Sequence, residues 1–181
     1  MKKIAQFALV LLIGTNAFAQ KLMTREGEVK FEASMPTFEE IAGKNNTTSC
    51  IFDETTGDFV ALTLVKGFKF KSPLMEEHFN ENYMESSKFP KATFKGKVVN
   101  FDKSKLSSTK TAYDLEGDLT IHGVTKKVKT KIYLTLNAGK IIATSNFSVK
   151  LDDYNVEVPS LVKSKIAENV KLAVNFTLAE K

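Results

Sequence analysis

The chain carries two histidines, one cysteine and 21 carboxylate side chains, and any reaction chemistry it performs has to be drawn from these. The densest grouping is EEHFNENYMESSKFP, where His78 stands beside Glu76 and Glu77, with Glu81 three residues on. Histidine next to carboxylates is what general acid–base catalysis or a metal site requires. His78 and His122 with Glu76, Glu77 or Glu81 supply acceptable metal-ligand types, but their spacing matches no metal-binding pattern. The triplet Glu-Glu-His is also an ordinary solvated arrangement on a helix surface. A serine nucleophile would need a signature such as G-x-S-x-G, and none occurs. Nothing places Cys50 beside a histidine for thiol chemistry. The nine glycines are scattered near turns and bends rather than gathered into a phosphate loop. The reading is of a protein that is not an enzyme and uses no cofactor and no metal.

The elements that hold these residues are strands. GEVKFEASM alternates, with Val29, Phe31, Ala33 and Met35 on one side and Lys30, Glu32 and Ser34 on the other. The same period of two runs through GDFVALTLVKGFKFK, KATFKGKVVNF, YDLEGDLTIHG, VTKKVKTKIYLTL, KIIATSNFSVKL and NVKLAVNFTL, as in strands with one face buried. Gly67 marks a bulge or bend, and His122-Gly123 and Asn137-Ala138-Gly139 read as hairpin turns. About eight amphipathic strands in succession imply one antiparallel domain, all-β, that closes on itself. With 14 Phe and no Trp, its aromatic mass is mostly apolar and suits a dry interior. Alternation alone leaves open whether that interior is packed or hollow.

Two segments depart from the pattern. SPLMEEHFNENYMESSKFP reads as a helix with Ser72 as N-cap, Pro73 at its first position and Met75, Phe79 and Tyr83 as an apolar stripe; Pro90 ends it. VPSLVKSKIAENV offers Ser160 as a cap, with Leu161, Ile166 and Ala167 for a short second helical turn. A helix laid across a barrel mouth would act as a lid.

The first residues, MKKIAQFALVLLIGTNAFAQ, have the layout of a secretory leader: Lys2 and Lys3, an apolar run from Phe7 to Ile13, then Ala17-Phe18-Ala19. Cleavage after Ala19 leaves residues 20–181 as a single domain, periplasmic or secreted. The apolar run is too short to span a membrane, which takes about 20 residues. Loss of Lys2 and Lys3 lowers the formal charge from +5 to +3, too small an excess to indicate nucleic acid. A lone cysteine forms no internal disulfide; Cys50 is either buried and inert or the link of a homodimer. The lysines of VTKKVKTK read as the solvated outer face of a strand, with a rim site for an anionic head group as the sharper alternative.

The stretches Phe89-Pro90-Lys91-Ala92-Thr93-Phe94, preceded by His78, and Gly117-Asp118-Leu119-Thr120-Ile121-His122-Gly123-Val124-Thr125-Lys126 resemble the YceI-like family of exported bacterial proteins. The likeness runs from about residue 27 to residue 176, and LDDYNVEVPSLVKSKI resembles the branch common in Bacteroidetes. The resemblance implies an eight-stranded antiparallel lipocalin-like barrel with helical elements, which the residues read as one helix and a short second helical turn. It also implies an interior that takes a long isoprenoid or other fatty amphiphile, and no enzymatic activity. Many members open with D-x-x-H-S-x-x-x-F, and this chain has no histidine at that point.

On alternation, the residues facing such a ligand are Val29, Phe31, Phe68, Phe70, Phe94, Ile132, Leu134, Phe147, Val174 and Phe176. Phe79, Tyr83 and Met84 supply wall or lid. His78 either hydrogen-bonds the ligand's polar end or pins the helix to the barrel, and His122 has a structural place in its turn. The competing account is a packed barrel whose loops engage other proteins, as a stress-response or interaction module.

Overall fold

A computed structural model describes residues 21–180; the leader assigned to residues 1–19 lies outside them. Eight strands follow one another around a closed antiparallel barrel: β1 (Lys21–Ser34), β2 (Ala42–Asp53), β3 (Asp58–Leu64), β4 (Lys91–Val98), β5 (Thr111–Ile121), β6 (Val124–Asn137), β7 (Lys140–Lys150) and β8 (Ile166–Glu180). β8 pairs back onto β1 and closes the ring. The alternation that announced the strands is what closure needs, since every second side chain points inward.

One strand was not legible as such. β2 is AGKNNTTSCIFD, and its inward positions Asn45, Thr48, Cys50 and Phe52 are buried although two of them are polar. A register shift between β1 and β2 near Gly27 also breaks the period. The polar inward groups are satisfied locally. Asn45 donates through Nδ2 to the Leu64 carbonyl at 2.9 Å, and the Thr48 and Thr63 hydroxyls share a hydrogen bond of 3.0 Å.

The hairpin turns stand as expected. His122 and Gly123 both have positive φ, at 50° and 75°, the conformation of a two-residue hairpin loop. At Gly123 a Cβ would also stand 2.6 Å from the Phe89 ring, so the turn needs glycine twice over.

The helix is shorter than the sequence suggests. The α-helical part, α1 (Pro73–His78), continues as a single π-helical turn over Phe79–Tyr83. Ser72 occupies the N-cap position, but its hydroxyl caps nothing. The second helical turn expected around Ser160 takes the form of hydrogen-bonded turns rather than a regular helix. Residues 159–165 form successive hydrogen-bonded turns (Val162 to Pro159, Lys165 to Val162), and β8 begins at Ile166. Val158, Val162 and Ile166 of that segment line the cavity, while Leu161 is exposed.

Three of the four lysines of VTKKVKTK lie on the outer wall. Lys127, Lys129 and Lys131 pair across the β5–β6 ladder with Asp118, Glu116 and Asp114 at 3.3, 3.0 and 2.6 Å. That ladder accounts for the spacing of these three, whereas Lys126 pairs in register with Leu119 and shares the face of Val124 and Val128. Cys50 is fully buried, and burial pushes its thiol far above the ordinary range. A disulfide between two chains cannot form without opening the barrel.

Candidate functional site

The barrel interior divides along its axis. At one end, Leu22, Cys50, Phe52, Phe59, Val98, Tyr113, Leu115, Ile132, Leu134, Ile141, Ala143, Phe176 and Leu178 make a continuous buried cluster, with Phe101 and Leu106 packed against it. Tilted or edge-on ring pairs tie this floor together, Phe52 to Phe101 at 4.9 Å and Phe59 to Phe176 at 5.9 Å. The other end is hollow. A cavity of about 340 Å³ opens above the floor, within the range of small-ligand pockets.

The cavity runs far along the barrel. Ile166, Val170, Leu172, Val174 and Phe176 of β8 line it from mouth to floor. That run of about ten residues is roughly 25 Å long once strand tilt is allowed for. Its lining contains no Asp or Glu; the charged groups are Lys150 and Lys165, with His78 as the titratable third.

The structure brings Phe31, Phe68, Phe70, His78, Phe79, Tyr83, Phe94, Ile132, Phe147 and Phe176 to this cavity, and also Val29, Val174 and Met84. Leu134 is the exception. It faces inward as its alternation demands, but lies fully buried in the floor and does not reach the cavity. Alternation reports which way a side chain points, not how deep along the barrel it stands.

The helix covers the mouth by an aromatic joint. Phe79 stacks on Phe31 at 5.2 Å and meets Phe68 and Phe70 at 5.5 and 5.0 Å. Phe31 in turn meets Phe68 and Phe70 edge-on. Gly43 permits this, since a Cβ there would stand 2.5 Å from the Phe31 ring and 3.0 Å from Phe70. The π turn bonds the Met84 N–H to the Phe79 carbonyl at 2.9 Å, which brings Met84 below Phe79 and onto the cavity. Single π turns are frequent where a helix serves a site. No residue of the helix is fully buried, so its hold on the barrel is light. Glu76 adds a tether through Lys69 at 2.6 Å, and Lys71 pairs with Glu40 on the β1–β2 connection.

The two histidines separate. His78 is exposed on the lid, reaches the cavity and forms no hydrogen bond with a described residue. His122 is the clamped one. Its Nε2 lies 2.8 Å from Glu85 Oε2 and its Nδ1 3.2 Å from the Tyr154 carbonyl, with the Phe89 ring edge-on at 4.5 Å. The Phe89-Pro90 stretch and the Ile121-His122-Gly123 stretch therefore meet in space. Among the described residues, no three of His, Cys, Asp and Glu gather as a metal site, and no helix is long and apolar enough to cross a membrane.

Sequence reasoning missed the wall made by the connection between β7 and β8, where Val158 and Val162 also line the cavity. Leu151, Tyr154 and Val156 line the cavity from the connection after β7, where a 3-10 turn spans Asp152–Tyr154. The available signal was a Leu, a Tyr and a Val set among acids and Asn in LDDYNV, a pattern with no regular period.

Comparison with known proteins places this geometry. A family model described as the YceI-like domain matches residues 21–178. Among solved structures, the chain is similar to a polyisoprenoid-binding domain from Saccharophagus degradans implicated in plant cell wall breakdown. The TM-score is 0.78 at 16% identity, covering 90% of this chain and 99% of that one. It is also similar to BcnA of Burkholderia cenocepacia, with TM-score 0.69, 17% identity and coverage of 84% and 96%. The YceI protein of Campylobacter jejuni gives 0.60 at 17% identity, covering 79% and 88%. No curated protein matches the chain.

Proposed function

The chain belongs to the YceI-like family, and from that premise we propose that it holds one long-chain isoprenoid or other fatty amphiphile in the hollow half of its barrel. In this reading the protein carries or sequesters the ligand outside the cytoplasm, after cleavage of residues 1–19. The observation that carries the proposal is the cavity: about 340 Å³, apolar along its length, closed at one end and capped at the other by an aromatic-jointed helix. A slim hydrocarbon fits such a shape, tail toward Ile132 and Phe176 and polar end toward His78 and the lid. Each buried methylene contributes about 0.8 kcal/mol, so a long chain is held without directional contacts. The polyisoprenoid-binding description of the Saccharophagus degradans domain supports the same class of ligand.

The role is binding, with no reaction step. The test is organic extraction and mass spectrometry of the mature protein, purified from its native host without detergent. The proposal expects one isoprenoid or long-chain lipid per protein. A protein that comes out empty and also refuses added isoprenoid alcohols and fatty amides would sink it.

A further inference from the structure

Between β6 and β7 the cavity wall is not made of paired strands along its whole length. β6 and β7 stay in register only from Tyr133↔Thr144 to Asn137↔Lys140. Toward the mouth, residues 124–132 of β6 pair with β5 alone, and residues 145–150 of β7 with β8 alone. The last tie across the seam is the Ser145 hydroxyl donating to the Lys131 carbonyl at 2.6 Å. Residues 151–156 fill the opening beyond it. Tyr154 and Val156 are 3% and 4% exposed, packed among Leu119, Val124, Val128, Phe147 and Val149. Both edges of the gap and the segment that fills it line the cavity.

This filler is bonded chiefly to itself. The N–H groups of Tyr154 and Val156 go to the Leu151 carbonyl, and that of Asn155 to Asp152. Its polar ties to the barrel are the Leu151 N–H on the Glu168 carbonyl at 3.1 Å and the contact of the Tyr154 carbonyl with His122. A carbonyl and a carboxylate only accept hydrogen bonds. His122 stands between one of each, so it satisfies both only when both ring nitrogens carry protons. The side chain is 9% exposed, which leaves little water to substitute for either partner.

We propose that residues 151–156 are a side door of the cavity and that doubly protonated His122 is its latch, tying the door to Glu85 at the tail of the lid. The inference rests on the reading of the cavity as a lipid site. When the ring loses a proton it keeps the stronger, charge-assisted bond to Glu85. Its Nδ1 lone pair then faces the Tyr154 carbonyl, and the door is released while the lid stays tied. The charged and titratable groups on the elements packed against the ring are Glu85 and Lys88 on the lid tail, Asp152, Asp153 and Tyr154 on the door, and Lys126 on its own hairpin. Lys88 lies 3.7 Å from the other Glu85 oxygen, and burial first, Asp153 second, hold the Tyr154 phenol above its ordinary range, so it stays neutral while the imidazole titrates.

The experiment follows N-phenyl-1-naphthylamine, a neutral probe, as it leaves the full mature chain in stopped-flow, with the His122 ring titrated in parallel by NMR. Dissociation should accelerate about tenfold on deprotonation, the scale of one lost buried hydrogen bond, with the midpoint of the NMR titration. In Glu85→Gln the amide donates to a neutral ring and leaves its other N–H for Tyr154, so the step should largely vanish. A rate that ignores the titration of His122, or a Glu85→Gln variant that keeps the full step, overturns the latch. Amide protection in the empty protein separates this from the lipid reading. Val156 and Asn155 should lose protection with the same midpoint while Met84 and Phe89 keep theirs. If the probe does not bind and isoprenoid alcohols are refused as well, the lipid reading fails and this exchange measurement still decides the latch; loss confined to the lid would overturn it and place the opening there instead.

Discussion

The floor and the mouth of the barrel are made by the same eight strands, yet they differ in almost every physical respect. At the floor the side chains interlock, and Phe52, Ile132, Leu134 and Leu178 are fully buried. At the mouth the β6–β7 ladder ends early and the β2–β3 ladder covers only Ser49–Phe52 with Phe59–Leu62. The strands flare, and the space between them is left hollow under a helix with no fully buried residue. The contrast teaches that stability and capacity have been separated along the axis. One end supplies the folding free energy, and the other tolerates an empty volume that would be costly in a packed core.

That contrast can be broken most forcefully at the floor. Phe52→Ala removes a fully buried ring that meets Phe59 and Phe101, and should cost about 3–5 kcal/mol in denaturant unfolding. The fraction that remains folded should bind probe as before. The matching change at the mouth is Phe79→Ala, which opens the joint on Phe31, Phe68 and Phe70. Here unfolding should shift by only about 1 kcal/mol, while the affinity for N-phenyl-1-naphthylamine falls about tenfold, or about 1.4 kcal/mol. Equal stability losses at the two positions would erase the distinction.

A smaller effect sharpens the account of the floor. Asp53 caps the β2–β3 hairpin by accepting the N–H groups of Thr55 and Thr56 at 2.9 and 3.1 Å. The Thr56 bond first and the Thr55 bond second hold its carboxyl below the usual range. A depressed carboxyl stabilises the fold above its unfolded value and loses that contribution as the pH falls below about 4. The stability difference between neutral and acidic solution should therefore shrink in Asp53→Asn, as read by urea unfolding at both conditions. An unchanged difference would remove Asp53 from the acid response. The smallest effect belongs to the outer wall. Lys129→Gln breaks an exposed pair with Glu116 and should change stability by less than about 0.5 kcal/mol, leaving binding untouched. A clear loss of binding there would reinstate the outer lysines as part of the site.

Much of this architecture was legible because a barrel wall writes itself as alternation. Val170, Leu172, Val174 and Phe176 could be assigned to the interior by counting in twos. Depth could not, which is why Leu134 was grouped with Ile132 although it lies in the floor. β2 was hidden because its interior positions include Asn45 and Thr48, whose burial depends on partners in β3. The 151–156 door was hidden for a related reason: an irregular segment is positioned by the gap it fills, and that gap comes from a ladder that stops early. The lid was readable as a helix from Pro73 and the spacing of Met75, Phe79 and Tyr83. Its π turn was not, because the switch to i→i+5 bonding serves the cavity below rather than any local preference.

The most direct measurement of the central claim is a methyl NMR titration of the mature protein with geranylgeraniol. Binding in the hollow half predicts saturable shifts at Val128, Val170, Leu172 and Val174, with Leu22, Ile141 and Leu178 of the floor unmoved. Shifts confined to the floor or the outer wall, or none at any concentration the alcohol allows, would contradict it.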